Sequence, residues 1–85
     1  MEKFNKLLAE GKFEQAKEYL ESLNPDDEET IYCWGRLYSR MGQESKALGF
    51  YAKVLEINPN HEEAKARIEL ANGIFSFRDP NLFNH

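Results

Sequence analysis

Two arginines and a tyrosine near the middle of the chain have the residue types and spacing to bind an anion. Tyr32, Arg36 and Arg40 follow one another at intervals of four residues, so on a helix their side chains share one face. A guanidinium group donates two parallel hydrogen bonds to a carboxylate, and a neighbouring ring offers an apolar surface. The spacing therefore predicts a site for a carboxylate-bearing partner. The alternative is that both arginines pair with Glu44 or with other exposed carboxylates of the chain.

Residues that could act as nucleophiles, bases or metal ligands are few and scattered. His61 lies at a predicted helix start, and neither it nor His85 has a nucleophile close in sequence. Cys33 adjoins Trp34 in an amphipathic segment, where a cysteine is more often a small buried hydrophobe. No glycine-rich phosphate loop or zinc-binding spacing is present. The sequence predicts a protein that is not an enzyme, with no catalytic residue, cofactor or metal.

An acidic run, Asp26-Asp27-Glu28-Glu29, offers a second candidate for charge-based binding. Such a run can hold a cation or a basic partner. It is also typical of a helix start, where Asp at the cap and Glu in the first turn satisfy free amides and favour the helix dipole. The spacing lacks the glycine of a calcium loop, so we interpret the run as a helix cap.

Composition restricts the remaining classes of function. The 85 residues form one small domain, and a net charge of -4 argues against nucleic-acid binding. A single cysteine excludes an intramolecular disulfide and indicates a reducing compartment. No apolar run could serve as a signal peptide or a membrane span. We therefore expect a cytoplasmic protein that binds neither nucleic acid nor membrane.

Hydrophobic spacing of three and four residues predicts five helices and no strands. Gly11 and Gly42 are expected to end the first and third helices in the left-handed conformation, and Pro59 to stop the fourth. Asn60 is expected to cap the fifth helix, with Glu63 completing a capping box. The predicted helices cover residues 1–10, 12–23, 28–41, 44–57 and 61–73, which pair as two hairpins and one further helix.

The segment 28–61 has the residue order of a complete helical repeat. Small residues, Gly35 and Ala47, allow the two helices to cross closely, and Tyr38 and Tyr51 are expected on either side of that crossing. The same arrangement predicts that Trp34 is substantially buried. The order of these residues, with Gly42, Val54 and the final proline, resembles the tetratricopeptide repeat (TPR), a helical hairpin of about 34 residues.

The resemblance extends to the rest of the chain and implies its architecture. Residues 1–25 resemble a degenerate N-terminal repeat, in which Phe4 and Leu7 pack against Ala16 and Leu20. A polar helix commonly closes such an array, which matches residues 62–74. The resemblance implies an all-α, right-handed TPR-type array of five helices in a single domain, residues 1–85. Its segments are 1–25, the full repeat 28–61, the capping helix 62–74 and an aromatic tail 75–85.

TPR proteins bind partners in a concave groove lined by the first helix of each hairpin. The resemblance therefore implies a protein–protein interaction scaffold that takes a peptide or a helix in this groove, with Ala66 and Leu70 contributing from the fifth helix. Only Asn5 matches the carboxylate clamp of chaperone-binding TPR proteins, which disfavours a chaperone tail as the partner. The partner-binding residues that the resemblance implies are Asn5, Tyr32, Arg36, Ser39 and Arg40.

The aromatic tail supports an alternative function. Residues 74–85 contain three phenylalanines, and Asp79-Pro80-Asn81 predicts a turn within them. We expect the tail to fold back over exposed core. The alternative is a self-assembling structural module that forms a weak homodimer through this tail or through the N-terminal hairpin.

Overall fold

The computed structural model describes the backbone of residues 1–78 and the side chains of residues 1–71. Within that range the chain is helical and contains no strand, as the sequence predicts. The helices are α1 (Glu2–Ala9), α2 (Phe13–Glu21), α3 (Glu28–Arg40), α4 (Glu44–Ile57) and α5 (Glu62–Arg78). Helices α1 and α2 form one hairpin and α3 and α4 a second, while α2 packs on α3 and α5 packs on α4.

Glycine and proline end the helices where the sequence predicts. Gly11 and Gly42 have φ angles of +74° and +82°, a left-handed conformation that a Cβ atom makes costly. After Gly42, the amide of Gln43 bonds back to the carbonyl oxygen of Tyr38 at 2.9 Å and closes the end of α3. Helix α4 ends directly before Asn58, which is extended and precedes Pro59. Local chain geometry therefore determines where the chain turns in both hairpins.

The first hairpin and one side of α3 share a core. Phe4 and Ala16 are fully buried, which confirms the predicted packing of α1 against α2. Helix α3 contributes two side chains to this core, so the first hairpin is bound to the second through apolar contact. The buried members are Phe4, Leu7, Leu8, Ala16, Leu20, Cys33 and Leu37.

A second core lies between α3, α4 and α5, and its closest contact is a ring against a backbone. Gly35 faces Tyr51, and a Cβ built on Gly35 would lie 2.5 Å from Cε1 of that ring. The expectation that Tyr51 lies to one side of the crossing is therefore wrong, because its ring occupies the space that the glycine leaves. Ala47 is fully buried, as expected of a small residue at the crossing.

Trp34 has most of its surface buried and packs against the first core, which confirms the prediction that it is substantially buried. Its ring lies at the edge of the first core and stacks on two further aromatic rings. The centroid distances are 6.2 Å to Tyr38 and 6.4 Å to Phe50, and Tyr38 and Phe50 are 5.5 Å apart with nearly parallel planes. Aromatic stacking on α3 and α4 thus covers part of the tryptophan surface.

Helices α3 and α5 have side-chain caps at their N-termini. Asp27 caps α3 by accepting a hydrogen bond from the amide of Thr30 at 3.3 Å, which confirms the interpretation of the acidic run. The predicted cap of α5 is wrong. His61, rather than Asn60, precedes the helix, and its Nδ1 accepts the amide hydrogen of Ala64 at 3.1 Å. The histidine ring reaches this amide because its position lies next to the first turn.

Helix α5 continues through Gly73 to Arg78, beyond the predicted boundary at residue 74. A single glycine costs a helix about 1 kcal/mol and does not end it. The predicted turn at residues 79–81 lies outside the described residues, as do the contacts of the aromatic tail. Among the helices that are described, none combines the length and the apolar character needed to cross a membrane.

Candidate functional site

Side chains from three helices meet along one surface, which we call the α1/α3/α5 face. Arg36 of α3 donates a hydrogen bond from a terminal guanidinium nitrogen to Oδ1 of Asn5 in α1, at 2.6 Å. On the other side of α3, Tyr32 accepts a hydrogen bond from Nε of Arg67 in α5, at 3.0 Å. Because α3 takes part in both hydrogen bonds, this helix is the centre of a continuous surface running from α1 to α5.

The five residues predicted to bind a partner divide between the two sides of α3. Asn5 and Arg36 lie together between α1 and α3. Arg40 continues the stripe of Arg36 by one helical turn. Tyr32 and Ser39 lie on the side of α5, so the structure does not bring all five residues into one cluster.

Arg36 is half-buried and is positioned by neutral groups. Besides its bond to Asn5, its guanidinium carbon lies 5.6 Å from the centroid of the Phe4 ring, a cation–π distance. Within the part of the chain whose side chains are described, Arg36 forms no ion pair. Its positive charge is therefore oriented by the fold without being neutralised by it.

Arg40 is exposed, and the residues with described side chains offer it neither an ion pair nor a hydrogen bond. The carboxylate expected to pair with it, Glu44, instead accepts a hydrogen bond from the Ser39 hydroxyl at 2.7 Å. The alternative in which Glu44 neutralises the arginines is therefore not the arrangement found in this structure. Both guanidinium groups remain available to an anion.

Tyr32 does not offer the open aromatic surface that its helical spacing suggested. The residue is only 6 % exposed. Its ring packs against Tyr51 and His61, with centroid distances of 5.6 and 5.0 Å. The hydroxyl group, which bonds to Arg67, is thus the part of Tyr32 directed towards the surface.

A crevice lies between the C-terminal half of α3, the start of α4 and α5, and we call it the α3/α5 crevice. It has a volume of about 520 Å³. Leu70 is 72 % exposed and forms part of its wall, so the crevice offers apolar surface to a partner. The residues that define the crevice include Ser39, Glu44, Leu48, Tyr51, Arg67 and Leu70.

Arg67 is a member of this surface that the sequence did not single out. It lies between Ala66 and Leu70, which were expected on the groove, and three residues before Leu70 on the same helix. Helical spacing could have placed it there. Burial alone lowers the pKa of Arg67, but the hydrogen bond and proximity to Tyr32 raise that pKa above its ordinary value. Arg67 is therefore a permanent cation at the crevice.

A cluster of Glu28, Glu29 and His61 has the residue types of a divalent-metal site, with ligand atoms within 4.8 Å of one another. The hydrogen bonds argue against this role. Since Nδ1 of His61 accepts a hydrogen bond from the Ala64 amide, the neutral ring carries its hydrogen on Nε2, which donates to Glu29 at 3.0 Å. A metal on Nε2 would require that hydrogen to move to Nδ1 and would break the cap of α5.

Cys33 has the environment of a structural residue. It is 2 % exposed, and its thiol lies 3.7 Å from the sulfur of Met1. Burial raises the pKa of the Cys33 thiol from 9.0 to about 11, and the positive charge of Arg36 offsets only part of this effect. The thiol is therefore protonated at neutral pH and is a poor nucleophile.

Comparison with known proteins gives one match. A family model described as tetratricopeptide repeat covers residues 7–70, from the last three residues of α1 through α2, α3 and α4 to the first half of α5. No curated protein and no solved structure matches the chain. The matched range contains Arg36, Arg40 and Arg67, so these cations lie within the repeat architecture.

Proposed function

Because the chain belongs to the tetratricopeptide repeat family, we propose that it is a non-enzymatic adaptor in the cytoplasm. It binds a peptide or a helix of a partner protein on the α1/α3/α5 face. Repeats of this family generally mediate protein–protein interactions. The proposed binding residues are the five expected from the sequence, Asn5, Tyr32, Arg36, Ser39 and Arg40, together with Arg67 and Leu70.

The observation that carries this proposal is a pair of arginines for which the residues with described side chains supply no carboxylate partner. The chain has a net charge of -4, so carboxylates are abundant, yet Arg36 bonds to a neutral amide and Arg40 is exposed. An exposed cation in water gains little from the fold itself. A partner carboxylate on these two groups would gain charge-assisted hydrogen bonds that the chain does not already supply.

Helix α3 lies at the centre of the proposed binding surface. Its bonds to Asn5 and Arg67 connect α1 and α5 along one surface, so a bound segment can contact all three helices. Tyr32 contributes its hydroxyl group rather than its buried ring. Leu70 supplies an apolar contact, because most of its side chain is exposed beside the crevice.

The test is partner capture by the double variant Arg36→Ala/Arg40→Ala, combined with thermal melting. A hydrogen bond to a charged group contributes about 1.5 to 3 kcal/mol, so loss of both arginines should weaken capture roughly ten- to several-hundred-fold. The melting temperature should fall slightly, since Arg36 loses a cation–π contact with Phe4 and a hydrogen bond to Asn5 that is exposed to solvent, each worth about 1 kcal/mol. Arg40→Ala alone should melt like the wild type.

A matched control removes the same charge elsewhere. Lys17→Ala/Lys53→Ala takes two exposed cations from α2 and α4, outside the α1/α3/α5 face. This control should capture partners as the wild type does. If the arginine variant melts normally and retains every partner, or if the lysine control loses them equally, the binding surface lies elsewhere.

A further inference from the structure

Tyr51 carries a buried polar group for which the described side chains supply no partner. The residue is 2 % exposed, and no hydrogen-bond partner for its hydroxyl is found among the residues with described side chains. The tyrosine forms part of the α3/α5 crevice. A buried hydroxyl without a hydrogen bond destabilises the folded state, so its presence needs a reason.

Two neighbouring groups supply further hydrogen-bond donors. The Tyr32 ring lies 5.6 Å from the Tyr51 ring, and its oxygen accepts a bond from Arg67, which leaves the phenolic hydrogen free to donate. The Arg67 guanidinium has further N–H groups beyond the one used. Burial raises the pKa of the Tyr51 phenol, so its hydrogen is retained at neutral pH. Tyr51 thus presents a donor on the α3/α5 crevice, Tyr32 presents one on the adjoining depression, and Arg67 lines both.

We propose that Tyr32, Tyr51 and Arg67 form a site for a single carboxylate of the partner, with an aliphatic side chain of the partner beside it on Leu70. This inference rests on the proposed function and names the chemistry of one anchor. A carboxylate has two oxygens with about four lone pairs, which can accept from all three groups at once. Bonds of this kind are stronger than those between neutral groups.

The surrounding charges select a monoanion. Glu44 lies on the wall of the α3/α5 crevice, and Glu63 lies beside Tyr32 and Arg67 in an adjoining depression. The single positive charge of Arg67 cannot offset the two negative charges of these carboxylates and also those of a doubly charged phosphate group. A side-chain carboxylate carries one negative charge and brings less repulsion.

Entry to the site requires Arg67 to move. The Tyr51 hydroxyl is enclosed in this structure, whereas Arg67 is exposed and is held to α3 by the single bond to Tyr32. A carboxylate that takes over the guanidinium replaces this neutral hydrogen bond with a charged one. The same movement frees the Tyr32 hydroxyl, so both phenols can donate to the incoming group.

The apolar part of the anchor follows from the wall of the crevice. Leu70 is mostly exposed, and Leu48 is half-buried opposite the rim formed by Ser39 and Glu44. An aliphatic side chain between the two leucines would remove apolar surface from water. The recognised unit is thus an aliphatic residue next to an aspartate or a glutamate.

The experiment is an NMR titration of the ¹⁵N-labelled protein with N-acetyl-Leu-Glu-amide. N-acetyl-Leu-Gln-amide, which has the same shape without the charge, is the matched probe. The glutamate peptide should shift the amides of Tyr32, Tyr51 and Arg67 saturably, and the glutamine peptide should bind about ten times more weakly. Equal binding of the two peptides, or no saturable shift up to the solubility limit of the glutamate peptide, would overturn the proposal.

Tyr51→Phe removes the unpartnered hydroxyl and leaves the ring in place. The variant should melt at or above the wild-type temperature, because no hydrogen bond within the fold is lost, and should bind the glutamate peptide about ten times more weakly. Tyr38→Phe, outside the crevice, should leave binding unchanged. A lower melting temperature for Tyr51→Phe with unchanged binding would show that the hydroxyl has a structural partner such as enclosed solvent, and would overturn the site.

A second variant separates this inference from the proposed function. Arg67→Gln is an exposed substitution, and it should abolish the preference for the glutamate peptide. If Arg67→Gln and Tyr51→Phe bind normally while Arg36→Ala/Arg40→Ala loses its partner, the carboxylate site is wrong and the adaptor proposal stands. If the crevice variants lose the peptide while the double arginine variant keeps every protein partner, the carboxylate site stands and the assignment of Arg36 and Arg40 fails.

Discussion

At Gly35 the absence of a Cβ determines how the two helices of the second hairpin pack. The Tyr51 ring lies where a Cβ would be, with Cε1 at 2.5 Å and Cδ1 at 2.8 Å from the ideal Cβ position. Tyr51 also provides the unpartnered hydroxyl of the α3/α5 crevice. Displacement of this ring would therefore disturb both the core and the proposed carboxylate site.

Replacement of this glycine tests the contact directly. Alanine favours a helix by about 1 kcal/mol over glycine, but at position 35 it forces a buried ring to move, at a cost of about 1 to 3 kcal/mol. Gly35→Ala should therefore destabilise the protein in thermal and urea unfolding. Gly49 is a matched control in α4, because nothing lies within 4 Å of its ideal Cβ, and Gly49→Ala should stabilise the protein. Stabilisation by both substitutions would contradict the placement of Tyr51.

At the scale of the helix, α5 depends on a cap supplied by a histidine. His61 is 6 % exposed, its ring packs on Tyr32, and its two nitrogens bond to the Ala64 amide and to the Glu29 carboxylate. This one side chain therefore starts α5 and also ties it to α3. The position of Arg67 and Leu70 over the crevice depends on that connection.

Substitutions at two adjacent residues, His61 and Asn60, test which of them caps α5. His61→Ala should destabilise the protein by about 1 to 2 kcal/mol, because it removes a helix cap and a hydrogen bond to a charged group. Asn60→Ala should have little effect, since the structure gives its side chain no role in starting α5. Chemical denaturation of the two variants measures the difference. A larger loss from Asn60→Ala would restore the cap that the sequence alone predicts.

Most of the helical architecture could be predicted from the sequence, because glycine, proline and apolar spacing act locally. Gly11, Gly42 and Pro59 end the helices where their backbone preferences require. The cap of α5 was missed because asparagine is a preferred cap residue, and the choice of His61 depends on Glu29, 32 residues away in sequence. Contacts across that separation are not contained in a local pattern.

At the scale of the whole molecule, the sequence could not predict which side chains bond to one another between helices, and this limited the prediction of the site. Helical spacing put Tyr32 and Arg36 on one stripe of α3, but it could not show that Arg36 bonds to α1 or that Tyr32 turns its ring into the core. Nor could it show that Arg67 reaches across to α3. The binding surface, as we propose it, depends on bonds between α1, α3 and α5 that only the folded arrangement brings together.

The central claim is that the partner lies on the α1/α3/α5 face. The most direct measurement replaces one exposed residue at a time with the photo-crosslinking amino acid p-benzoylphenylalanine. Leu70 lies on this face, and Lys53 lies on α4 in a separate depression with Tyr38 and Phe50. We predict a discrete cross-linked partner from position 70 that disappears in the Arg36→Ala/Arg40→Ala background, and none from position 53. Cross-linking from position 53 alone, unaffected by loss of the arginines, would contradict the account.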